Sequence, residues 1–278
     1  MKILVTGVKG QLGYDVVKAL ESRGYQPVGV DREEMDLMND NMIQDFIMNL
    51  KPEAIIHCAA YTAVDQAEEE VEICYQINAE AVRVIAECAK ALDIVMIYIS
   101  TDYVFDGTKE SEYVETDTPN PINVYGASKL KGEQYVQQLL KKFYIVRISW
   151  VFGINGKNFI KTMQRLGKEQ NQLNIIHDQF GSPTYTADLA PLLVDMIETN
   201  QYGIYHVTNE GYCSWYEFAT EIFKQIGLDI TLHPITTDEY KTKAKRPLNS
   251  KMSKKKLNEN GFHILPTWKE ALKNYLNQ

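Results

Sequence analysis

The sequence predicts an α/β protein, a doubly wound parallel sheet of Rossmann type carrying a smaller C-terminal α/β domain. Three observations predict it. Short apolar runs alternate with helix-period segments from the first residues onward, and a glycine-rich turn separates the first run from the first helical segment. Beyond about residue 150 the alternation loosens into shorter segments richer in Gly, Pro and polar residues. Strands alternating with helices require crossover connections, which build a parallel sheet with helices on both faces.

Lys2 to Thr6 reads as a buried strand, and Gln11 to Arg23 as a helix with Leu12, Val16, Val17 and Leu20 on one face. Val28 to Asp31 is expected as the second strand and Met42 to Leu50 as the second helix. Ala54 to Cys58 is the third strand, Ile73 to Leu92 one long helix, and Ile94 to Ser100 the fourth strand. A helix near Ser128 to Lys141 and a strand at Tyr144 to Ser149 continue the pattern. The helix Ala187 to Thr199 then leads into Gly203 to Thr208, a strand expected to return to the sheet. Residues 1–150, with the return segment about 184–208, are thus expected to form a dinucleotide-binding domain. Residues 151–183 and 209–278 are expected to form a substrate-binding domain at the sheet's carboxyl edge, where ligands bind in open α/β sheets.

A chain of 278 residues is long enough for one large domain or two modest ones. Its 45% hydrophobic and 24% charged residues exclude disordered and fibrous classes. Lys plus Arg number 29 against 37 Asp plus Glu, a net charge of −8, which argues against sequence-independent nucleic-acid binding. No apolar run approaches the roughly 18 to 20 residues a membrane helix needs, and Ile3-Leu4-Val5 is too short for a signal-peptide core. The four cysteines form no CxxC pair and read as small thiols of a reducing compartment. The expectation is a cytoplasmic protein that meets neither nucleic acid nor membrane.

Thr6-Gly7-Val8-Lys9-Gly10-Gln11-Leu12-Gly13 joins the first strand to the first helix. Gly7 permits a tight turn, Gly10 lets backbone approach a pyrophosphate, and Gly13 lets the helix lie close to the sheet. The helix N-terminus offers free N–H groups to phosphates. The spacing is G-x-x-G-x-x-G, not the commoner G-x-G-x-x-G, and a merely structural turn would use the same glycines. Context favours a dinucleotide: Asp31 ends the next strand, where a carboxylate accepts ribose hydroxyls. Asp31 repels a 2′-phosphate while the adjacent Arg32 attracts one, so NADH and NADPH both stay open.

Ser100-Thr101-Asp102-Tyr103-Val104-Phe105 closes the fourth strand, and Tyr125-Gly126-Ala127-Ser128-Lys129 opens a helix. Tyr125 and Lys129, four apart, share a helix face. A phenol of reference pKa about 10 transfers protons poorly at neutral pH, and a neighbouring ammonium favours the phenolate. Thr101 is placed to hydrogen-bond the same substrate oxygen. Among 17 tyrosines such a pair also arises by chance, and the nucleotide-binding start is what raises its weight.

With Cys58-Ala59-Ala60-Tyr61 and Asn78, these motifs make the chain resemble the extended short-chain dehydrogenase/reductase family. Within that family it is most similar to the dTDP-4-dehydrorhamnose reductases. The likeness there rests on residues 60–65 (Ala-Tyr-Thr-Ala-Val-Asp), 149–153 (Ser-Trp-Val-Phe-Gly), 158–163 (Asn-Phe-Ile-Lys-Thr-Met), 178–184 (Asp-Gln-Phe-Gly-Ser-Pro-Thr) and 246–250 (Arg-Pro-Leu-Asn-Ser).

The resemblance implies reduction of the C4 ketone of dTDP-4-dehydro-β-L-rhamnose to dTDP-L-rhamnose by NADPH or NADH. It implies Tyr125 as proton donor, Lys129 lowering its pKa and holding the nicotinamide ribose, Thr101 orienting the keto oxygen, and Asn78 on a water-linked proton path from Lys129. Gly10, Gln11 and Leu12 would line the pyrophosphate and Asp31 the ribose. Asp36 and Leu37 would lie near the adenine, with Ala59, Ala60 and Tyr61 along the cofactor. Asp102, Tyr103, Trp150 and Asn158 would meet the dTDP-sugar. Some relatives form a metal-linked dimer through acidic residues that have no match here, so no metal is assigned and the chain is expected as a monomer or homodimer.

Lys241 to Lys256 carries eight cations and no acid. Arg246 is favoured as a pyrophosphate contact because a guanidinium binds phosphate bidentately, and the lysines are left to the surface or to weak steering. Glu68, Glu69, Glu70 and Glu72 read as a solvated helix start, and His57 and His206 as core. Two rivals stand beside the reductase. One is a nucleotide-sugar dehydratase or epimerase of the same superfamily, although dehydratases carry an acidic pair after the Ser/Thr position and here Tyr103 follows Asp102. The other is a non-catalytic subunit like the regulatory subunit of some methionine adenosyltransferases, whose usual motive the intact Thr101, Tyr125 and Lys129 remove.

Overall fold

The computed structural model describes residues 1–278. Six parallel strands form the central sheet: β1 (Lys2–Thr6), β2 (Gln26–Val30), β3 (Ala54–His57), β4 (Val95–Thr101), β5 (Phe143–Ile148) and β6 (Gly203–His206). Their spatial order is β6-β5-β4-β3-β1-β2. The strands carry near-continuous apolar runs because both faces are covered: Ile3, Val5 and Ile56 enter one core while Leu4 and Ile55 enter the other. The first core holds the helices Gln11–Ser22 and Thr186–Ile197. The second holds Asp40–Leu50, Ala81–Ala91 and the inner face of Val124–Leu139. Strand order reverses between β1 and β3, so a crevice opens beyond their carboxyl ends.

Two elements differ from the expected pattern. The segment expected as one helix from Ile73 to Leu92 is a helix interrupted by a π turn over Gln76–Glu80, between Val71–Tyr75 and Ala81–Ala91. The helix expected from Ser128 begins at Val124, because the Asn123 side chain accepts the Gly126 N–H at 2.7 Å and caps it. That cap places Tyr125 inside the helix.

A third core joins Phe152, Ile160, Met163 and Tyr185 to Phe218, Ile222, Trp268 and Leu272. It packs the helices Phe159–Glu169, Trp215–Ile226 and Trp268–Leu276 beside three two-stranded ladders. Leu257, Phe262 and Leu265, in the C-terminal segment, instead pack into the first core under the sheet. No helix is long and apolar enough to cross a membrane.

Candidate active site

The crevice is built on the ends of β1, β3 and β4. Gly7 has φ +71°, and a Cβ there would press on the Ala59 backbone at 2.8 Å. Gly10 N–H donates to the Gly7 carbonyl at 2.9 Å and closes the turn, and Gly13 brings the helix onto that same carbonyl. Thr6 Oγ1 meets His57 Nδ1 at 2.8 Å and accepts the Ala59 N–H at 3.1 Å, so the loops after β1 and β3 are tied together. Burial pushes His57 down to about 3 and keeps it neutral.

Asp31, Arg32, Asp36, Leu37, Ala60 and Tyr61 wall a cavity of about 430 Å³ beside the loop. Asp31 Oδ2 accepts the Lys9 N–H at 3.1 Å, so this carboxylate also steadies the glycine turn. Arg32 is exposed and reaches Asp36 at 3.5 Å. Asn78, on the π turn, accepts the Tyr61 N–H at 2.8 Å and donates to the Tyr61 carbonyl and Ser128 Oγ, both at 3.0 Å. Its amide is committed to bracing this wall, and no hydrogen bond joins it to Lys129.

A second cavity, about 750 Å³, continues from Gly7, Gly10, Gln11 and Leu12 to Thr101, Asp102, Tyr103, Tyr125, Lys129 and Trp150. Burial lowers Lys129 to about 7 against the opposing influence of Glu133, and its ammonium lies 4.0 Å from the centroid of the Tyr98 ring. Burial raises the Tyr125 phenol, Thr101 pulls it down and Asp102 pushes it up. Near neutrality an ammonium lowered to about 7 is only partly charged. Trp150, at φ +49°, stacks on Trp215 with ring centroids 3.7 Å apart. Trp215 had no signal in the sequence.

Tyr103 and Trp215 also line a third cavity of about 860 Å³, with Phe159, Gln179, Tyr240 and Arg246. Arg246 is held bidentately by Asp65 at 2.7 and 3.1 Å, and Asp65 also accepts the Ala244 N–H. The guanidinium that was read as a phosphate contact therefore already has a carboxylate partner, which it holds below the usual range. Asn158 lines none of these three cavities. It caps Phe159–Glu169 and donates to Gln11 Oε1 at 3.1 Å, joining the first helix to the third core.

Lys254, assigned to the surface with its neighbours, is buried over the Tyr212 ring and 3.8 Å from Glu210. Glu68 accepts the Val124 N–H and Glu70 the Tyr61 hydroxyl, so this acidic segment buttresses the site rather than only facing solvent. His57 and His206 are buried, as expected. No group of three or more His, Cys, Asp or Glu side chains is placed to hold a metal ion.

The chain matches, over residues 1–278, the family described as RmlD substrate binding domain. It is 43% identical to the dTDP-4-dehydrorhamnose reductase of Aggregatibacter actinomycetemcomitans, over 98% of this chain and 97% of that protein. It is 38% identical to the spore coat polysaccharide biosynthesis protein SpsK of Bacillus subtilis, over 100% of this chain and 97% of that one. The crystal structure of the Bacillus anthracis dTDP-4-dehydrorhamnose reductase in complex with NADP superposes with a TM-score of 0.96 at 43% identity, covering 99% of this chain and 98% of that one.

Proposed function

The chain belongs to the RmlD family of dTDP-4-dehydrorhamnose reductases, and on that premise we propose that it reduces the C4 ketone of dTDP-4-dehydro-β-L-rhamnose to dTDP-L-rhamnose with NADPH or NADH. The observation that carries this reading is the convergence of Thr101, Tyr125 and Lys129 on one cavity that begins at the glycine loop and ends at Trp150.

The residues present fit a dinucleotide. The glycine loop leaves backbone bare where a Cβ would press on Ala59 or the Gly7 carbonyl, and the first helix presents its unpaired N–H groups there. Gly7, Gly10, Gln11, Leu12 and Gly13 would cradle the pyrophosphate, Asp31 the ribose, and Arg32 a 2′-phosphate when one is present. Asp36, Leu37, Ala59, Ala60 and Tyr61 would border the adenosine half. When bound, the nicotinamide supplies the hydride that C4 receives.

Tyr125 donates a proton to the C4 oxygen, and its burial-raised pKa keeps the phenol in the donating form. Thr101 positions that oxygen, and Lys129 holds the ribose beside the phenol. Asp102, Tyr103 and Trp150 face the sugar, and the cavity with Arg246 and Phe159 receives the nucleotide. Tyr103 in place of a second acid disfavours dehydration, since elimination of water needs both an acid and a base. The reading extends to a cytoplasmic setting and to a monomer or homodimer. The test is NAD(P)H oxidation by the purified protein with enzymatically prepared dTDP-4-dehydrorhamnose. Absence of turnover alongside tight binding to another protein would favour the non-catalytic reading.

A further inference from the structure

Asp65 and Arg246 stand together in the wall of the cavity of about 860 Å³. Their pairing uses only part of the guanidinium. Nη1 donates to Asp65 Oδ1 at 3.1 Å and to the Ala244 carbonyl at 3.2 Å, which occupies both of its hydrogens. Nη2 donates to Asp65 Oδ2 at 2.7 Å. A guanidinium carries five N–H groups in a fixed planar fork. The other two, on Nε and on the side of Nη2 nearest it, carry no hydrogen bond and form one parallel edge. Such an edge matches two oxygens of a phosphate.

We propose that Asp65 is a positioning residue that aims this free edge of Arg246 at the diphosphate of the dTDP-sugar. The inference rests on the reading that this cavity receives the nucleotide. Asp65 Oδ1 also accepts the Ala244 N–H at 3.0 Å, so the carboxylate fixes the backbone as well as the side chain. Asn123 donates to the Lys245 carbonyl at 2.8 Å, and the same Asn123 caps the helix that carries Tyr125. The diphosphate anchor and the acid are therefore held against one cap. Tyr103 lines both this cavity and the catalytic one, and its phenol feels the charge of Arg246. A dTDP-sugar carries its diphosphate between nucleoside and sugar, where a residue common to both cavities stands.

A carboxylate beside an anion site weakens the attraction of that site. What it supplies is preorganisation: an unpaired arginine loses rotamer freedom when ligand binds, whereas Asp65 has already fixed this one. Net charge and aim thus act on dTDP affinity with opposite sign. Asparagine at position 65 keeps an acceptor for the Ala244 N–H, but its NH2 meets the guanidinium donor to donor.

The test is calorimetric titration of dTDP into the full chain saturated with NADPH, with thymidine as the ligand lacking phosphate. Asp65→Asn should weaken dTDP about tenfold or more, while thymidine and NADPH bind as in the wild type. Asp65→Glu keeps the charge but moves the carboxylate by one methylene, so it should also weaken dTDP and spare thymidine. This variant decides alone if Asp65→Asn fails to fold. Arg246→Lys keeps the charge without the fork and should lose about tenfold or more for dTDP. Unchanged or tighter dTDP binding in Asp65→Asn, unchanged binding in Asp65→Glu, or wild-type binding in Arg246→Lys overturns the proposal. Equal losses for thymidine and dTDP would mean a collapsed wall and overturn it as well. A wild type that binds dTDP, with the expected pattern in its variants, but oxidises no NADPH with dTDP-4-dehydrorhamnose upholds the aim and overturns the reductase reading.

Discussion

Glu133 and Arg147 face each other as a buried bidentate pair, at 2.9 and 2.6 Å, one helical turn beyond Lys129. Ser100 adds its hydroxyl to Glu133 at 2.6 Å, and the guanidinium lies 5.1 Å from the centroid of the Phe105 ring. Tyr125, Lys129 and Glu133 share one helix face at four-residue spacing, and Ser100 precedes Thr101. The pair therefore bolts the helix that carries the phenol to β5, and Ser100 ties the same carboxylate to β4, the strand that ends in Thr101. Removing one partner strands the other charge in the interior, which costs about 3–5 kcal/mol. Glu133→Ala should lower the unfolding free energy by that order in urea titration. A loss below about 1 kcal/mol, the usual worth of an exposed pair, would show that the pair is not what fixes the helix.

Gly13 sits in the first turn of Gln11–Ser22, where a Cβ would run into the Gly7 carbonyl and come within 3.0 Å of Val8 Cα. Both obstacles are backbone, so neither can swing aside. Gly13→Ala should push the helix away from the glycine turn and destabilise the fold by about 1–3 kcal/mol, the range for overpacking. NADPH binding, followed by nucleotide fluorescence, should weaken with it. Unchanged Tm and Kd together would separate the loop from the cofactor.

The six strands and the glycine turn were legible because buried runs and helical periodicity are local patterns that survive into the fold. The π turn at Gln76–Glu80 was not, since one extra residue in a turn leaves the apolar periodicity of Ile73 to Leu92 nearly intact. It nevertheless carries Asn78, whose amide pins Tyr61. Trp150 announced itself in a motif, but its stacking partner Trp215 lies 65 residues further along, with no local pattern to link the two. Arg246 was legible as a cation in a basic run. That Asp65 would meet it was not, because pairing across 181 residues is decided by topology. Lys254 escaped for the same reason: a charge run shows nothing of the ring and acid that another segment brings to it.

Lys129 is buried over Tyr98, and desolvation lowers its ammonium from 10.5 to about 7. Between these values the unfolded chain holds more protons than the folded one, so stability of the cofactor-free protein rises as pH climbs from about 7 to 10.5. Below about 7 both states are protonated and the penalty of burying the charge is fully present. Lys129→Met removes that penalty. The variant should be more stable than wild type near pH 7, with the difference closing toward pH 10.5, while turnover and cofactor affinity fall. Urea titrations of both proteins across this range test it. Parallel pH dependences would mean that the folded state does not disfavour this ammonium.

Arg32 is exposed, reaches only Asp36 at 3.5 Å, and borders the cavity that also holds Asp31. A charge-assisted hydrogen bond to a 2′-phosphate is worth about 1.5–3 kcal/mol, while Asp31 opposes that phosphate by repulsion. Arg32→Ala should therefore lower kcat/KM for NADPH by roughly ten- to a hundredfold and leave NADH nearly unchanged. The wild type should use both cofactors. A preference for NADPH above about a thousandfold, roughly 4 kcal/mol, would mean that Asp31 does not repel the phosphate in the bound state.

Tyr125 and Thr101 divide the work on the keto oxygen, and their variants should differ in a fixed order. Tyr125→Phe removes only the hydroxyl of a side chain packed edge-on to Tyr103, 5.7 Å between centroids, so folding and cofactor binding should survive. General acid catalysis contributes about a hundred- to ten-thousandfold, and kcat should fall by that order. Thr101→Val removes one hydrogen bond to the oxygen, worth about 1–3 kcal/mol, and also the accepting oxygen that caps Tyr103 N–H at 3.2 Å. Its kcat should fall less than that of Tyr125→Phe, with a small loss of stability that the tyrosine variant does not share. Single-turnover rates at saturating cofactor separate these effects from binding. Near-normal kcat in Tyr125→Phe with abolition in Thr101→Val would reassign the acid. Full activity in both would remove proton donation by this pair from the reaction.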